Sequence, residues 1–240
     1  MRMNRIELPP RLAAVAEYIP AGVCVTDIGT DHGYLPIFVI QTGRCPRAVA
    51  ADVRPGPLSS ARNHIREAGL EERIVVRLSD GLEGFGPEEL ECVVMAGMGG
   101  RLMARLLQKG FEQGKLSSCT ALVLQPQSEL DRVRKMVHRV GFSISREQMR
   151  EEKEKRYTVL LAEPGQERYE PQEYIFGRKL FQARDPVFQK MLVEETQKLR
   201  TISIQLTAIS DPSERVKKRL EEVEELLYLG ERMLREWDAP

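Results

Sequence analysis

Residues 23–36 read VCVTDIGTDHGYLP, and a second apolar run, RAVAADV, follows at 47–53. The first run is β-branched, ends at Asp27, breaks on Gly29 and Gly33, and passes into a helix-like segment. That is the strand, loop and helix order that opens a doubly wound sheet. Gly29 lets the chain turn tightly and brings backbone N–H groups close to a ligand. Asp52 closes the next run, about 20 residues on, where a carboxylate accepts both hydroxyls of a ribose. The spacing is not G-x-G-x-x-G. Asp31 stands where a dinucleotide loop is small and neutral, and its charge repels a pyrophosphate. It suits a cationic or zwitterionic ligand instead. A glycine turn with no ligand is the plainer reading, and the complete series with its terminal Asp speaks against it.

Apolar runs and helical patterns then alternate as a parallel sheet requires. After a helix at 11–18, strands are expected at 23–27, 47–52, 74–77, 92–96 and 121–124, with helices at 34–41, 57–68, 100–109 and 129–139. Gly141 ends the last helix, and the runs 142–149 and 156–162 are expected as reversed terminal strands, making seven. This first domain is bounded at 1–165 and a second occupies 166–240. In the second, the 4,3 spacing of Phe188, Leu192, Glu195, Leu199, Ile202, Leu206 and Ile209 recurs at Val216, Leu220, Val223, Leu227, Gly230, Leu234 and Trp237. The pattern predicts two heptad helices folded as an antiparallel coiled coil, each too short to stand without packing from 174–188. Asp211 is expected as N-cap of the second helix, Pro212 at its first position and Glu214 in a capping box.

A chain of 240 residues with 42% hydrophobic content buries one α/β core and spares an appendage. No apolar run approaches the roughly 18 residues of a membrane span, and MRMNRIELPPRL lacks the apolar core of a signal peptide, so a cytoplasmic protein without membrane attachment is expected. Cys24, Cys45, Cys92 and Cys119 share no C-x-x-C spacing and are read as packing residues, and no metal site is expected. The 36 basic residues balance 36 acidic ones, which argues against indiscriminate coating of nucleic acid. The charge is uneven, however. Residues 101–158 hold 13 Lys and Arg against 7 Asp and Glu, whereas 51–100 hold 5 against 9. Solvated helix faces account for any single Arg, but the basic stretch directly follows the loop AGMGG and suits an approaching phosphate chain.

Four segments carry a family likeness: GTDHGYLP, AGMGGRL at 96–102, LQPQ at 124–127 and the late KRYTVLLAEPG. Together they resemble the bacterial tRNA adenine-N1 methyltransferases that modify adenine at position 22, over nearly the whole chain. The resemblance implies a Rossmann-like methyltransferase domain, S-adenosylmethionine as methyl donor, and a C-terminal coiled-coil domain that helps hold tRNA. Two positions depart from the pattern, since the family usually shows Asn at Gln127 and an acidic residue at Thr158.

The cofactor site is assigned to Asp27, Gly29, Asp31, His32, Gly33, Asp52, Asp80, Gly81 and Ala96. Asp80 and Gly81 follow the third strand, where a carboxylate accepts from an adenine amine, although Asp-Gly is also a common turn. His32 and Tyr34 line the sulfonium or the target base, or simply cap and pack. His64 and His138, in helices without ligand partners, are read as surface or packing residues. Methyl transfer to adenine N1 needs alignment more than acid–base work. Gly97, Met98 and Gly99, with Gly100, lack the Asn and Pro of amine-methylating loops and allow close backbone approach to base and cofactor. Tyr157 is expected to stack on an extruded base, with Lys155 and Arg156 on its phosphate. Arg101, Arg132, Arg134, Lys135 and the hairpin tip Lys217, Lys218 and Arg219 complete the expected RNA contacts. The hairpin has two open roles, packing or dimerisation on one hand and RNA binding on the other, and its basic tip favours the second. A monomer or weak dimer is expected. Methylation at another RNA position, or a non-catalytic protein that senses S-adenosylmethionine while binding RNA, are the alternatives.

Overall fold

A computed structural model of the chain describes residues 6–153 and 155–238. It divides into two compact units, one ending at Arg168 and the other beginning at Tyr169. The first holds a seven-stranded sheet in the order β3-β2-β1-β4-β5-β7-β6. Its strands are β1 (Val25–Ile28), β2 (Ala48–Asp52), β3 (Ile74–Leu78), β4 (Cys92–Met98), β5 (Ala121–Pro126), β6 (Phe142–Glu152) and β7 (Lys155–Pro164). β1 lies between β2 and β4, with Val25 beside both Ala48 and Cys92, so the strand order reverses at this pair. Helices α1 (Pro10–Tyr18), α2 (Tyr34–Gln41), α3 (Pro55–Glu67), α4 (Gly100–Glu112) and α5 (Leu130–Arg139) accompany the sheet.

β1 and β5 are buried along their whole length, which is why they read as unbroken apolar runs rather than as alternating ones. The core gathers Val25, Ala48, Ala50, Val94 and Val123 with Ala14, Val15 and Tyr18 of α1. Burial on both faces leaves the strand ends as the place where polar groups meet solvent, and the ends of β1 and β4 at the reversal form the crevice of such folds.

The two terminal strands differ from the expectation. β7 runs antiparallel to β5 and β6 antiparallel to β7, so only β7 is reversed and β6 shares the direction of the parallel strands. A helix connection after β5 returns the chain to the starting end, and β6 then turns directly back into β7. Arg134 also departs from the expectation. It is not an RNA contact, because its side chain is 1% exposed and its Nε donates to Glu147 Oε1 at 2.7 Å. This buried pair ties α5 to β6, and turning Arg134 outward would leave the Glu147 carboxylate buried without its counter-charge.

In the second unit, α7 (Pro186–Thr207) and α8 (Glu214–Asp238) form a hairpin, preceded by the short α6 (Arg178–Gln182). Asp185 caps α7 by accepting from the Val187 and Phe188 N–H groups at 2.9 Å, with Pro186 at the first position. Phe188 lies 5.7 Å from the Trp237 ring and Arg200 Nη2 is 2.8 Å from Glu231 Oε1, so the helices run antiparallel. The seam passes through Thr196 rather than Glu195, because a Cβ on Gly230 would stand 2.7 Å from Thr196 Oγ1. Phe181 meets Trp237 edge-on at 5.3 Å, the support expected from 174–188. α8 starts two residues later than expected, and Pro212 lies outside it. The Val216 and Lys217 N–H groups donate to the Ser213 carbonyl, not to any group of Asp211.

Removing one member of the buried pair should be far worse than removing both. Arg134→Ala should lower unfolding free energy by about 3–5 kcal/mol, and the double change Arg134→Met with Glu147→Leu should recover most of it, as urea titration would read.

Candidate active site

Four loops meet at the ends of the parallel strands. After β1, Gly29 takes φ +79°, and the N–H groups of Gly29 and Thr30 both donate to the Ala51 carbonyl at 2.8 Å, drawing the loop against β2. Gly33, at φ +72°, precedes α2, and a Cβ there would stand 3.1 Å from Ala61 Cβ on α3. His32 is also left-handed, at φ +63°. Its ring lies 5.6 Å from Tyr34, and Tyr34 stacks on His64 at 5.0 Å. His64 Nδ1 is 2.9 Å from the His32 carbonyl oxygen. The packing role expected of His64 is thus exercised on the loop itself, which α3 braces from outside. Asp31 projects outward with 75% of its side chain exposed, 3.3 Å from His32 Nε2.

Asp27, in β1, is buried. Burial pushes its carboxyl up to about 6; the Thr30 hydroxyl and Arg11 pull the other way, and Asp52 adds to the rise. Asp52, 5% exposed at the end of β2, accepts the Arg54 N–H at Oδ1 (2.8 Å) and thereby shapes the turn after the strand. Val53 and Leu78 stand exposed on the neighbouring strand ends, two apolar side chains at the rim of the crevice. Asp80 is exposed, whereas Gly81 is buried. A Cβ on Gly81 would come within 2.5 Å of Leu106 on α4, so packing already demands glycine there.

The β4 loop is built differently from a bare glycine turn. The pairing of β4 with β5 slips between Ala96 and Met98, and Gly97, the extra residue, takes φ +79°. Its N–H donates to Gln125 Oε1 at 3.0 Å, and Arg11 Nη1 donates to the same oxygen at 2.7 Å. The Gln127 N–H donates to the Met98 carbonyl at 2.9 Å. Gly100, in the first turn of α4, would drive a Cβ to 2.2 Å from the Ser128 carbonyl, while Gly99 meets only Ser128 Oγ at 3.6 Å. Met98 turns the other way, its Cε 3.1 Å from where a Cβ on Gly29 would be, so the β1 and β4 loops touch. Arg11 and Gln125 were not singled out in the sequence. Gln125 lay inside the LQPQ motif, but nothing marked which of its four residues reaches back to β4.

A cleft of about 660 Å³ opens beside this turn. Arg11, Gln125 and Gln127 form one wall, and Lys155, Arg156 and Tyr157 another. Burial raises the Tyr157 phenol above its ordinary value. Arg156 Nε donates to Glu151 at 3.2 Å across the β6–β7 hairpin. Thr158 is buried on the opposite face of β7. Its departure from the resemblance therefore concerns the core, and only Gln127 borders the cleft. Arg101 and Arg132 share Glu129, at 3.5 and 3.3 Å, and Lys135 pairs with Asp131 at 3.1 Å. In the second unit, Lys217 pairs with Glu214 and Arg219 with Glu222, and Lys218 is exposed. All four cysteines are free thiols, and among the described residues no group of three His, Cys, Asp or Glu is placed to hold a metal.

A sequence model of the family described as tRNA (adenine(22)-N(1))-methyltransferase matches residues 25–231. The chain belongs to that family. The Bacillus subtilis tRNA (adenine(22)-N(1))-methyltransferase is 34% identical over 233 residues, covering 95% of this chain and 97% of that one. The crystal structure of the B. subtilis enzyme superposes with a TM-score of 0.86 at 31% identity, covering 95% of this chain and 98% of that one. Streptococcus pneumoniae Sp1610, solved in complex with S-adenosyl-L-methionine, gives 0.82 at 32% identity, with 95% and 100% covered. No helix among the described residues is long and apolar enough to cross a membrane.

The raised carboxyl of Asp27 carries a measurable signature. Because the folded chain holds this proton more tightly than the unfolded one, the residue costs stability as pH rises from about 4 through about 6. Asp27→Asn should therefore gain melting temperature over the parent as pH rises across that window, and thermal melts at both ends would show a constant gap if the assignment were wrong.

Proposed function

We propose that this protein transfers the methyl group of S-adenosylmethionine to N1 of adenine 22 in tRNA, with the β1 loop holding the cofactor and the cleft beside Gly97 receiving the base. The observation that carries this is the Met98–Gly29 approach, which sets the β1 loop against the β4 loop, beside the Gly97 turn that Arg11 joins to the cleft. The chain's own residues fit such a cofactor. Asp52 has a second carboxylate oxygen for the ribose, Val53 and Leu78 offer apolar surface for the adenine ring, and Asp31 and Asp27 supply negative charge where a sulfonium and an ammonium are to be held. When bound, the cofactor supplies an electrophilic methyl group on a cationic sulfur.

The protein's part in the transfer is placement. Adenine N1 has an in-plane lone pair, so no proton has to leave before attack, and orientation alone is worth several kcal/mol. The base must first leave its stack, and Tyr157 gives it a flat surface while Lys155 and Arg156 take its phosphate. Gln127 borders the same space and can meet a base edge through its amide. The backbone of Gly97–Gly99 offers no side-chain amide to polarise an exocyclic amine, which favours a ring nitrogen as acceptor. Arg101, Arg132 and Lys135 serve phosphates farther along the RNA, and Lys217, Lys218 and Arg219 do so from the helical hairpin. The enzyme acts as a monomer or weak dimer in the cytoplasm, where its substrate resides.

Incubation with tRNA and labelled cofactor, followed by nucleoside mass spectrometry, tests the reading. It requires 1-methyladenosine at position 22, and methylation elsewhere or none would overturn it. Asp52→Ala should weaken S-adenosylmethionine binding roughly tenfold to a hundredfold by calorimetry while leaving the fold intact. Tyr157→Ala should leave cofactor affinity unchanged and lower turnover by the equivalent of roughly 1–3 kcal/mol of stacking, and full activity on tRNA would end that assignment.

A further inference from the structure

Arg11 sits in the first turn of α1, a helix fixed by the burial of Ala14, Val15, Ala16 and Tyr18, and its guanidinium reaches 114 residues along the chain to Gln125. We propose that Arg11 is a positioning residue for methyl transfer, acting through Gln125 to hold the Gly97 turn in the shape that the target base must meet. The proposal rests on the methyl-transfer reading above.

The Gln125 side chain is buried and hydrogen-bonded at both ends of its amide. Oε1 accepts from Arg11 at 2.7 Å and from the Gly97 N–H at 3.0 Å, and Nε2 donates to the Pro126 carbonyl at 3.2 Å. An amide has two orientations, and rotating this one would set Nε2 against two donors. The charged donor of Arg11 makes that rotation costly, so Arg11 fixes which atom the Gly97 N–H finds. Gly97 needs such a hold, because it is the extra residue of a bulge and its left-handed backbone is not stabilised by a regular ladder. The same guanidinium occupies the space beside the glycine, 3.2 Å from where a Cβ would lie, and lines the cleft shared with Tyr157. Its charge also acts on Asp27 on the cofactor side and on Tyr157 on the base side, so Arg11 stands between the two halves of the site.

The test uses the full-length protein, Arg11→Met, Gln125→Met and the double variant, with tRNA transcript and S-adenosylmethionine. Each single change should lower kcat roughly tenfold to a hundredfold, with the cofactor Kd and the KM for tRNA within about twofold of the parent. Because both act through one link, the double variant should be no slower than the poorer single one. Amide hydrogen exchange at Gly97 should quicken in every variant, a readout independent of turnover. Losses that multiply, a loss confined to KM for tRNA, or unchanged exchange at Gly97 would each overturn the proposal. If the parent protein itself transferred no methyl group to tRNA, the broader reading would fall instead, while the exchange data would still report whether Arg11 holds the turn.

Discussion

Helices on both faces of the sheet leave the central parallel strands with nowhere to present polar groups except at their ends. Everything functional in the first unit follows from that restriction. Asp27 is caught just inside it and holds its proton unusually tightly; Asp52 sits at the boundary with one oxygen spent on its own turn. Gly97 lies where the β4–β5 ladder has already slipped, so its N–H needs a side-chain acceptor rather than a backbone one. The β1 loop and the Gly97 turn are neighbours because the strand order reverses between β1 and β4, not because of any attraction between them.

The division of labour across that reversal explains the chemistry expected of each glycine. Gly29 and Gly97 are required by left-handed backbone, Gly33 and Gly81 by both backbone and close packing, and Gly100 by the adjacent Ser128 carbonyl. Gly99 has ordinary room around it. A motif such as AGMGG therefore records at least two distinct constraints, one set by the turn and one by the neighbouring β5–α5 connection. In the proposed transfer, only the first bears on the base.

Local pattern made most of the first unit legible. The doubly buried strands announce themselves as apolar runs, and the seven strands emerge within a few residues of their expected ends. Legibility stopped where the deciding partner is remote in sequence. Arg134 looks like any cation on an amphipathic helix until Glu147 is brought beneath it. Arg11 carries no motif, and its hydrogen bond to Gln125 appears only when α1 is laid against β5. The direction of β6 depends on a connection length that apolar spacing does not encode, and the start of α8 depends on Ser213 rather than on the more conspicuous Asp-Pro pair. His64 reads in the sequence as a surface or packing residue, and its place against the His32–Tyr34 loop emerges only with α3 folded back.

The carboxylates beside the basic side chains also bear on the RNA contacts proposed above. Arg101 and Arg132 are steadied by one carboxylate, Glu129, which a left-handed backbone at φ +51° holds at the start of α5, and Lys135 is tethered to Asp131 one turn on. An arriving polyanion must displace resident counter-charges before it gains anything. Loose, flexible strands would make that exchange one contact at a time and lose at each step, whereas a folded RNA presenting several phosphates at fixed spacing makes it at once. In the proposed RNA contacts, the acidic neighbours thus act as a threshold, discouraging casual adsorption and reserving the surface for a nucleic acid that arrives already structured.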